Sequence, residues 1–411
     1  MTTTLLKNLW ILTENVNRDL IFGDILLEND KIVSVGKYSG DADNTVDYSG
    51  DIVSPGFINT HAHVAMSQMK AIADDVSFDD FLSTTFRYDA ERTEKDVEEG
   101  AILGIKEMLL GGITTFADLY YSEDKIANIA ERYNIRMHAA WAVLDQEYTT
   151  QKGNPIDNCR RFMERIKEEK HELVTPSVGV QGVYVASEET FHKARELADK
   201  YGSYVHMHLS ETRREVNEHI KKTGLRPVEW LDRIEFLNSS TVAAHSVWLT
   251  DREIDIFADK NVRVSHCPTS NMKLATGGIA PIPEMRKKHV KTSIGTDSVV
   301  SNNSLNMLSE MKLTAILHKY SKWNAEVMKA QEVLDMATIE GAEVLNSDHI
   351  IGSVEPGKKA DLIFFNSKNV AFQPFDASRI ISNLVYASDR SAIRDVMVNG
   401  KYSVKNGKLL F

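Results

Sequence analysis

The chain has 411 residues, 42% apolar and 26% charged, which suffices for a large core in two domains or in one barrel with an added module. Its formal net charge of −11 argues against a surface that binds nucleic-acid polymers. The only cysteines, Cys159 and Cys267, lie far apart, which excludes a disulfide framework and indicates a reducing, cytoplasmic setting. No signal-peptide core or membrane-length apolar stretch is present, so we expect a cytoplasmic protein without membrane contacts.

Both ends of the chain are predicted to form short strands. Near the N-terminus, Ile21–Leu27 and the alternating Lys31–Gly36 are separated by a polar turn. Near the C-terminus, Ala360–Phe365 is strand-like, and Val396–Tyr402 turns at an Asn-Gly pair. We therefore predict one composite β-sandwich domain from residues 1–55 and 355–411.

The middle of the chain, residues 56–354, alternates strands with helices. A helix is predicted over residues 94–110, with Thr93 as N-cap, Asp96 three residues on, and Gly111-Gly112 as its stop. Together with the strand before His61, the predicted strands number eight: Ile113–Leu119, Arg136–Leu144, Leu173–Tyr184, Tyr204–Leu209, Thr241–Trp248, Val262–His266 and Lys291–Gly295 complete the set. Eight such units favour a (β/α)₈ barrel over a doubly wound sheet.

Unusual polar residues fall at the predicted strand ends, where barrel active sites lie. They are His61 and His63 after the first strand, His208 and Glu211 after the fifth, His245 after the sixth, and Asp297 after the eighth. Imidazoles and a carboxylate meeting at one barrel mouth would bind a catalytic divalent ion and leave a position for water.

Each of these residues also has a structural explanation. His245 alone is typical of a hydrogen-bonded core histidine, Asp297 of a turn or helix cap, and Glu211 of a solvated first helical turn. Because four separate strand ends carry such residues, the metal site is the better interpretation. His206 shares a strand face with His208 but lies one layer deeper, and we interpret it as a packing residue.

Several motifs in this order resemble the amidohydrolase superfamily, in its branch of purine-nucleoside aminohydrolases, and within it the 5′-methylthioadenosine/S-adenosylhomocysteine deaminases. The motifs are residues 55–63 (PGFINTHAH), 208–212 (HLSET), 243–245 (AAH), 265–274 (SHCPTSNMKL), 295–303 (GTDSVVSNN) and 357–362 (GKKADL). They span nearly the whole chain. The different zinc-deaminase signature with H-x-E and P-C-x-x-C is absent.

The resemblance implies a metal-dependent (β/α)₈ enzyme. It assigns His61, His63, His208 and Asp297 as ligands of one divalent ion, with Zn²⁺ favoured and Fe²⁺ or Mn²⁺ as alternatives. It assigns catalytic roles to Glu211, His245 and Asp297 and implies a homo-oligomer, either a dimer or a tetramer.

Three positions expected to contact substrate depart from the family pattern. Asp89 stands where a glutamate holds the ribose hydroxyls, and Gln181 stands in place of a histidine. Trp141 replaces an arginine that would bind a homocysteine carboxylate, which disfavours S-adenosylhomocysteine. Core packing is the alternative role for Trp141.

The predicted function is hydrolytic deamination of an adenosine-type nucleoside, such as 5′-methylthioadenosine, 5′-deoxyadenosine or S-adenosylhomocysteine, with release of ammonia. One alternative is a related amidohydrolase that acts on another amino-substituted ring, such as a pterin, a guanine-like base or a triazine. A second alternative, from a different class, is a catalytically silent scaffold with this fold.

Overall fold

The computed structural model describes residues 1–411 and contains two sheets. The strands before the barrel are β1 (Thr3–Leu12), β2 (Leu20–Glu28), β3 (Lys31–Gly36), β4 (Asn44–Asp47) and β5 (Ile52–Pro55). The barrel strands are β6 (Phe57–Ala62), β7 (Ile113–Tyr120), β8 (Arg136–Val143), β9 (Val174–Val180), β10 (Val205–Leu209), β11 (Thr241–His245), β12 (Arg263–His266) and β13 (Thr292–Ile294). The last strands are β14 (Leu362–Phe365), β15 (Ile393–Val398), β16 (Lys401–Lys405) and β17 (Lys408–Leu409).

The first sheet is built from both chain ends, as predicted. Strand β5 pairs in parallel with β1 and antiparallel with β14, so it joins the N-terminal strands to the C-terminal ones in one hydrogen-bonded sheet. The predicted turn between β15 and β16 is present, with Asn399 and Gly400 at φ of 51° and 74°. Apolar side chains from both ends form a shared core of 13 residues. The exact domain boundaries at residues 55 and 355 stay a prediction.

The second sheet is the barrel. Its eight strands are all parallel and follow one another in chain order from β6 to β13. The first and last strands meet where the Asp297 N–H donates to the His61 carbonyl at 2.9 Å. The Thr60 hydroxyl adds bonds to the Ser265 and Ser293 hydroxyls, at 2.6 and 2.7 Å. Because the two edge strands approach each other, the fold is a barrel and not a doubly wound sheet.

Helices cover the outside of the barrel and follow most of its strands. They are α1 (Phe78–Ala90), α2 (Glu94–Leu110), α3 (Glu123–Arg132), α4 (Pro155–Glu169), α5 (Glu188–Tyr201), α6 (Arg213–Thr223), α7 (Pro227–Arg233), α8 (Asp251–Lys260), α9 (Pro268–Lys273), α10 (Ile282–Lys287), α11 (Val299–Asn302), α12 (Met307–Lys322), α13 (Ala330–Ala337), α14 (Ile339–Val344) and α15 (Ile380–Tyr386). No helix combines the length and the apolar composition that a bilayer crossing requires.

Helix α2 agrees with the sequence prediction residue for residue. Thr93 accepts from the Asp96 N–H while Asp96 accepts from the Thr93 N–H, a capping box that fixes the first turn. Two strand predictions ended three or four residues too late, and two others, at Leu144 and Gly295, ended one residue too late. The strand predicted over 241–248 ends at His245 because His245 and Ser246 adopt left-handed backbone, with φ of 69° and 50°. The strand predicted over 173–184 ends at Val180.

Candidate metal centre and active site

The polar residues predicted at the strand ends meet at the C-terminal face of the barrel. A cavity of about 500 Å³ opens there, and its lining includes His63, His208, Glu211, His245 and Asp297. These residues lie at or just beyond the ends of four strands: His63 after β6, His208 and Glu211 at the end of β10, His245 at the end of β11 and Asp297 after β13. The barrel therefore brings together groups that are more than 200 residues apart in the chain, as the sequence analysis predicted.

The ligand atoms lie at the separations of a shared cation. His63 Nε2 is 3.3 Å from Asp297 Oδ1 and 3.2 Å from His208 Nε2, and His61 Nε2 is 3.7 Å from Asp297 Oδ1. Ligands about 2.0–2.1 Å from a tetrahedral zinc ion are about 3.3 Å apart. His61 Nε2 is buried without a hydrogen-bond partner, which is costly for a polar atom unless it binds an ion. This donor set fits a divalent metal ion.

Two of the imidazoles are oriented by backbone carbonyls. His63 Nδ1 lies 2.5 Å from the Leu119 carbonyl, and His208 Nδ1 lies 2.8 Å from the Gln181 carbonyl. A carbonyl can only accept, so each Nδ1 donates its proton and each Nε2 keeps its lone pair. The lone pairs are therefore available to a cation, and the ring orientations are fixed before it binds.

His206 has a role that the sequence analysis missed. It is fully buried one layer below the site, as predicted, but its Nε2 lies 2.9 Å from Nδ1 of His61. Because His61 has no backbone carbonyl within reach of Nδ1, His206 is the group that fixes its tautomer. The shared strand face of His206 and His208 was the available signal, since it places both side chains inside the barrel.

Asp297 is ionised and tightly held. Its carboxylate accepts bonds from the Ser298 backbone N–H at 2.7 Å and from the Ser301 hydroxyl at 3.0 Å. Burial alone would raise the pKa of Asp297, but the nearby imidazoles of His63 and His245 and the Ser270 hydroxyl outweigh burial and hold this pKa well below the usual range. Its backbone is left-handed, with φ of 60°, a strain of about 1–3 kcal/mol that is typical of functional sites.

Glu211 has the opposite electrostatic character. Burial, assisted by the charge of Asp297, raises the pKa of Glu211 to about 8. Glu215 accepts the backbone N–H groups of Ser210 and Glu211, at 2.9 and 2.8 Å, which fixes the loop that carries Glu211. Two carboxyl groups at one site, one ionised and one protonated, are a typical acid and base pair.

His245 is oriented as a proton donor. The Asn271 side-chain amide lies 3.0 Å from Nδ1 of His245, and the amide can donate its N–H to that nitrogen. Burial lowers the pKa of His245, so the ring is neutral and carries its proton on Nε2, which faces Glu211 at 3.9 Å. Asn271 belongs to the motif of residues 265–274 and is a functional residue that the sequence analysis did not single out.

Two of the three predicted substrate contacts line the cavity. Asp89 lies on its wall, where the Tyr120 hydroxyl and Arg92 both bond to Oδ1 and leave Oδ2 without a partner. Gln181 also lines the cavity, and its side-chain amide lies 3.3 Å from the Tyr184 hydroxyl.

The structure does not bring Trp141 to the cavity. Its side chain points out of the barrel because inward and outward residues alternate along β8, and Ala142 takes the inward position. The indole packs 5.5 Å from the Phe162 ring and donates its N–H to Gln151 at 2.9 Å. Gln151 does line the cavity, so Trp141 positions a cavity residue and has the packing role weighed as its alternative.

A family model described as "Amidohydrolase family" matches residues 52–402. The chain belongs to the amidohydrolase family.

Relatives match this amidohydrolase over most of their length. It is 36% identical over 392 residues to a 5′-deoxyadenosine deaminase of Methanobrevibacter smithii, covering 95% of this chain and 90% of the relative. It is 38% identical to a 5-methylthioadenosine/S-adenosylhomocysteine deaminase of Thermodesulfovibrio yellowstonii, covering 100% of this chain and 95% of the relative. An adenosine deaminase structure from Xanthomonas campestris with bound zinc superposes with a TM-score of 0.94 at 28% identity, covering 99% of this chain and 94% of that one.

Proposed function

We propose that this amidohydrolase is a metal-dependent deaminase that hydrolyses the amino group of an adenosine-type nucleoside and releases ammonia. The observation that carries the proposal is the pairing of a protonated Glu211 with an ionised Asp297 beside three converging imidazoles at the mouth of the barrel. Relatives of 34–38% identity that carry deaminase names support the same reaction.

The proposed cofactor is one zinc ion held by His61, His63, His208 and Asp297. Imidazole and carboxylate ligands suit zinc, and the zinc-bound relative from Xanthomonas supports this choice. When bound, such an ion acts as a Lewis acid and lowers the pKa of water toward ~7.

The residues of the chain account for the proton transfers. Attack of water on the ring carbon that bears the amino group places electron density on the adjacent ring nitrogen, and Glu211 protonates that nitrogen. Asp297 accepts one proton of the attacking water and passes it to the amino group, which leaves as ammonia when the C–N bond breaks. The second water proton returns to Glu211 as the ring oxygen becomes a carbonyl. His245 donates its Nε2 proton as a hydrogen bond to the attacking oxygen. Steps of this kind typically contribute ~10²–10⁴-fold each.

Asp89 is the proposed ribose contact. Its free Oδ2 can accept a hydroxyl hydrogen bond, while Tyr120 and Arg92 hold Oδ1 in place. An aromatic and aliphatic wall lies nearby in the same cavity and includes Phe78, Phe81 and Leu82. This combination of one carboxylate and apolar surface suits a sugar with an apolar substituent.

The 5′ substituent is proposed to be uncharged. No lysine or arginine lines the cavity, whereas Asp89, Glu147, Glu211 and Asp297 all do. The carboxylate of S-adenosylhomocysteine would lose hydration there without gaining a cationic partner, which is unfavourable. We therefore propose 5′-deoxyadenosine or 5′-methylthioadenosine as the preferred substrate.

Steady-state ammonia release tests this proposal. We expect a higher kcat/KM for 5′-deoxyadenosine and 5′-methylthioadenosine than for S-adenosylhomocysteine. Gln151→Arg should raise kcat/KM for S-adenosylhomocysteine ~10–100-fold, because a charge-assisted bond to its carboxylate contributes about 1.5–3 kcal/mol. Gln151→Met, of similar length but uncharged, is the control. A wild-type preference for S-adenosylhomocysteine would contradict the proposed pocket.

The alternatives predict different results in the same assay. Faster release of ammonia from guanine, an aminopterin or an aminotriazine than from any nucleoside would replace the nucleoside proposal with another ring substrate. Metal analysis of the purified protein addresses the scaffold alternative, because a silent scaffold has no need of stoichiometric metal.

We also propose a homo-oligomer, as the family resemblance implies. The exposed side of α12 supports it, because Ile316 and Tyr320 are four residues apart on this helix, Trp323 directly follows its end, and the three are 46%, 84% and 96% exposed. Light scattering should give a mass above that of one chain. Trp323→Glu should lower that mass, while Lys222→Glu, at an exposed position of α6, is the control.

A further inference from the structure

A second cavity, of about 520 Å³, lies at the opposite face of the barrel, where the strands begin. Its lining includes Val174 and Arg263, the first residues of β9 and β12, and Tyr204 and Ser240, which directly precede β10 and β11. The end of α4 and the segment 345–350 complete its walls. The cavity is separate from the metal centre because the barrel interior lies between them.

The charge of this cavity is opposite to that of the whole chain. Lys167, Lys170 and Arg263 line it, and no aspartate or glutamate does, although the chain carries a net charge of −11. None of these three cations has a carboxylate within ion-pairing distance, whereas the buried or half-buried arginines Arg18, Arg136, Arg226 and Arg286 each do. Three unpaired cations around one cavity form a region of positive potential.

These three cations keep hydrogen-bond donors available for an anion, although each also has a structural role. Lys167 and Lys170 lie at the C-terminal end of α4, where positive charge is favourable, but both side chains are exposed and can reach an anion as well. Arg263 donates from Nη1 to the Val344 carbonyl at 3.0 Å, and its other donors have no protein partner.

Of the three acidic groups around the cavity, Glu343 and Glu169 are paired with other residues, and Asp348 is not. Glu343, which acts on Arg263 through space, pairs with Lys291 at 3.2 Å. Burial lowers the pKa of both Arg263 and Lys358, and the charge of Asp348 opposes that shift, but Asp348 forms an ion pair with neither. Glu169 pairs with Arg165 at 2.7 Å and also contacts His171, a lining residue, at 2.8 Å. An incoming anion would therefore not have to displace a carboxylate from Lys167 or Lys170.

Buried polar atoms in the same cavity wall lack partners. The Tyr204 hydroxyl and Nδ1 of His138 are buried and make no hydrogen bond. Nε2 of His138 lies 3.1 Å from the Ser347 hydroxyl, which ties the segment 345–350 to β8. Unsatisfied buried donors are rare in folded proteins and indicate a missing ligand or water.

We propose that this cavity binds the phosphate group of a small molecule. Arginine and lysine side chains with neighbouring hydroxyls, here Tyr204, Ser240 and Ser347, are the usual donors for phosphate oxygens. The volume admits a phosphate monoester of sugar size as well as free phosphate. The site is independent of the deaminase reaction proposed above and would stand if that proposal failed.

Calorimetric titration of the metal-loaded protein with ribose 5-phosphate and with inorganic phosphate tests the site, at constant ionic strength. Ribose is the neutral control, and it also reports any binding of the sugar in the nucleoside pocket. We expect saturable binding of one phosphate ligand per chain and none of ribose. Tighter binding of ribose 5-phosphate than of phosphate identifies a monoester as the ligand, and equal binding identifies the free ion.

Two variants locate the binding. Lys167→Ala/Lys170→Ala should weaken it at least tenfold, and Arg263→Met should do the same. Lys221→Ala/Lys222→Ala is the matched control, because those lysines are also exposed and unpaired at the end of a helix, α6. The double lysine variant changes only exposed side chains, so it keeps the test valid if Arg263→Met does not fold.

Absence of saturable binding, or binding unchanged in the double variant, would overturn the proposal. Competitive inhibition of deamination with the same affinity would place the anion at the metal instead.

Discussion

Replacement of Glu211 by glutamine isolates the proton donor proposed for the ring nitrogen. Burial and Asp297 raise the pKa of Glu211 to about 8, so the carboxyl is neutral at pH 7 and resembles glutamine in volume and charge. The variant should therefore fold and bind metal normally. Glutamine keeps a hydrogen-bond donor but cannot release its proton. We expect kcat to fall ~10²–10⁴-fold, which corresponds to about 2.7–5.4 kcal/mol in the activation barrier.

The assay follows the change in ultraviolet absorbance as the amino-substituted ring of the substrate becomes the oxo-substituted ring of the product. Ammonia release is a second readout. KM should change little, because the substrate contacts remain. The wild-type rate should hold below pH 8 and fall above it as Glu211 loses its proton, since a raised pKa keeps the acid protonated up to that value. The pH–rate profile of the variant should lack this fall above pH 8. A kcat within fivefold of wild type, or an unchanged fall in rate above pH 8, would show that another group is the acid.

The remaining predictions concern the metal centre and the ribose contact. Asp297→Asn should abolish turnover while circular dichroism stays unchanged, and near-normal ammonia release would place the base elsewhere. His206→Phe should weaken zinc affinity ~10–100-fold in competition with a chromogenic chelator, because His61 loses its orienting partner. Chelation of the metal should stop activity and lower the melting temperature, since zinc at 1,000 times its Kd stabilises the fold by about 4 kcal/mol. Asp89→Ala should raise KM for nucleosides but not for free bases, and an equal effect on both would exclude the ribose contact.

The positions of the proposed metal ligands at strand ends could be predicted from the chain because each strand end is a local pattern. His61 and His63 are two residues apart at the end of one predicted strand, and His208 and Asp297 stand at the ends of two others. The strand period of two places such residues on the inner face without any knowledge of the fold. The capping box of α2 was predictable for the same reason, because its two partners are three residues apart.

The role of Trp141 could not be predicted in this way. A motif alignment places it beside the substrate, but the direction of its side chain depends on the register of β8 within the closed barrel. One residue of register moves a side chain from the interior to the helix layer. The orienting bonds from His206 to His61 and from Asn271 to His245 likewise join residues 145 and 26 positions apart, which no local pattern relates.

Local spacing of the amino acids determined the strands and the helices and placed the candidate ligands at strand ends, because these follow from periodicities of two and 3.6 residues. Closure of the barrel decided everything that depends on distance. It set the 3.2–3.7 Å separations between ligand atoms, the opposite protonation of Glu211 and Asp297, and the unpaired cations around the second cavity. The physical reason is that burial and electrostatic interactions depend on position in space, and the chain order does not contain that position until the strands pair.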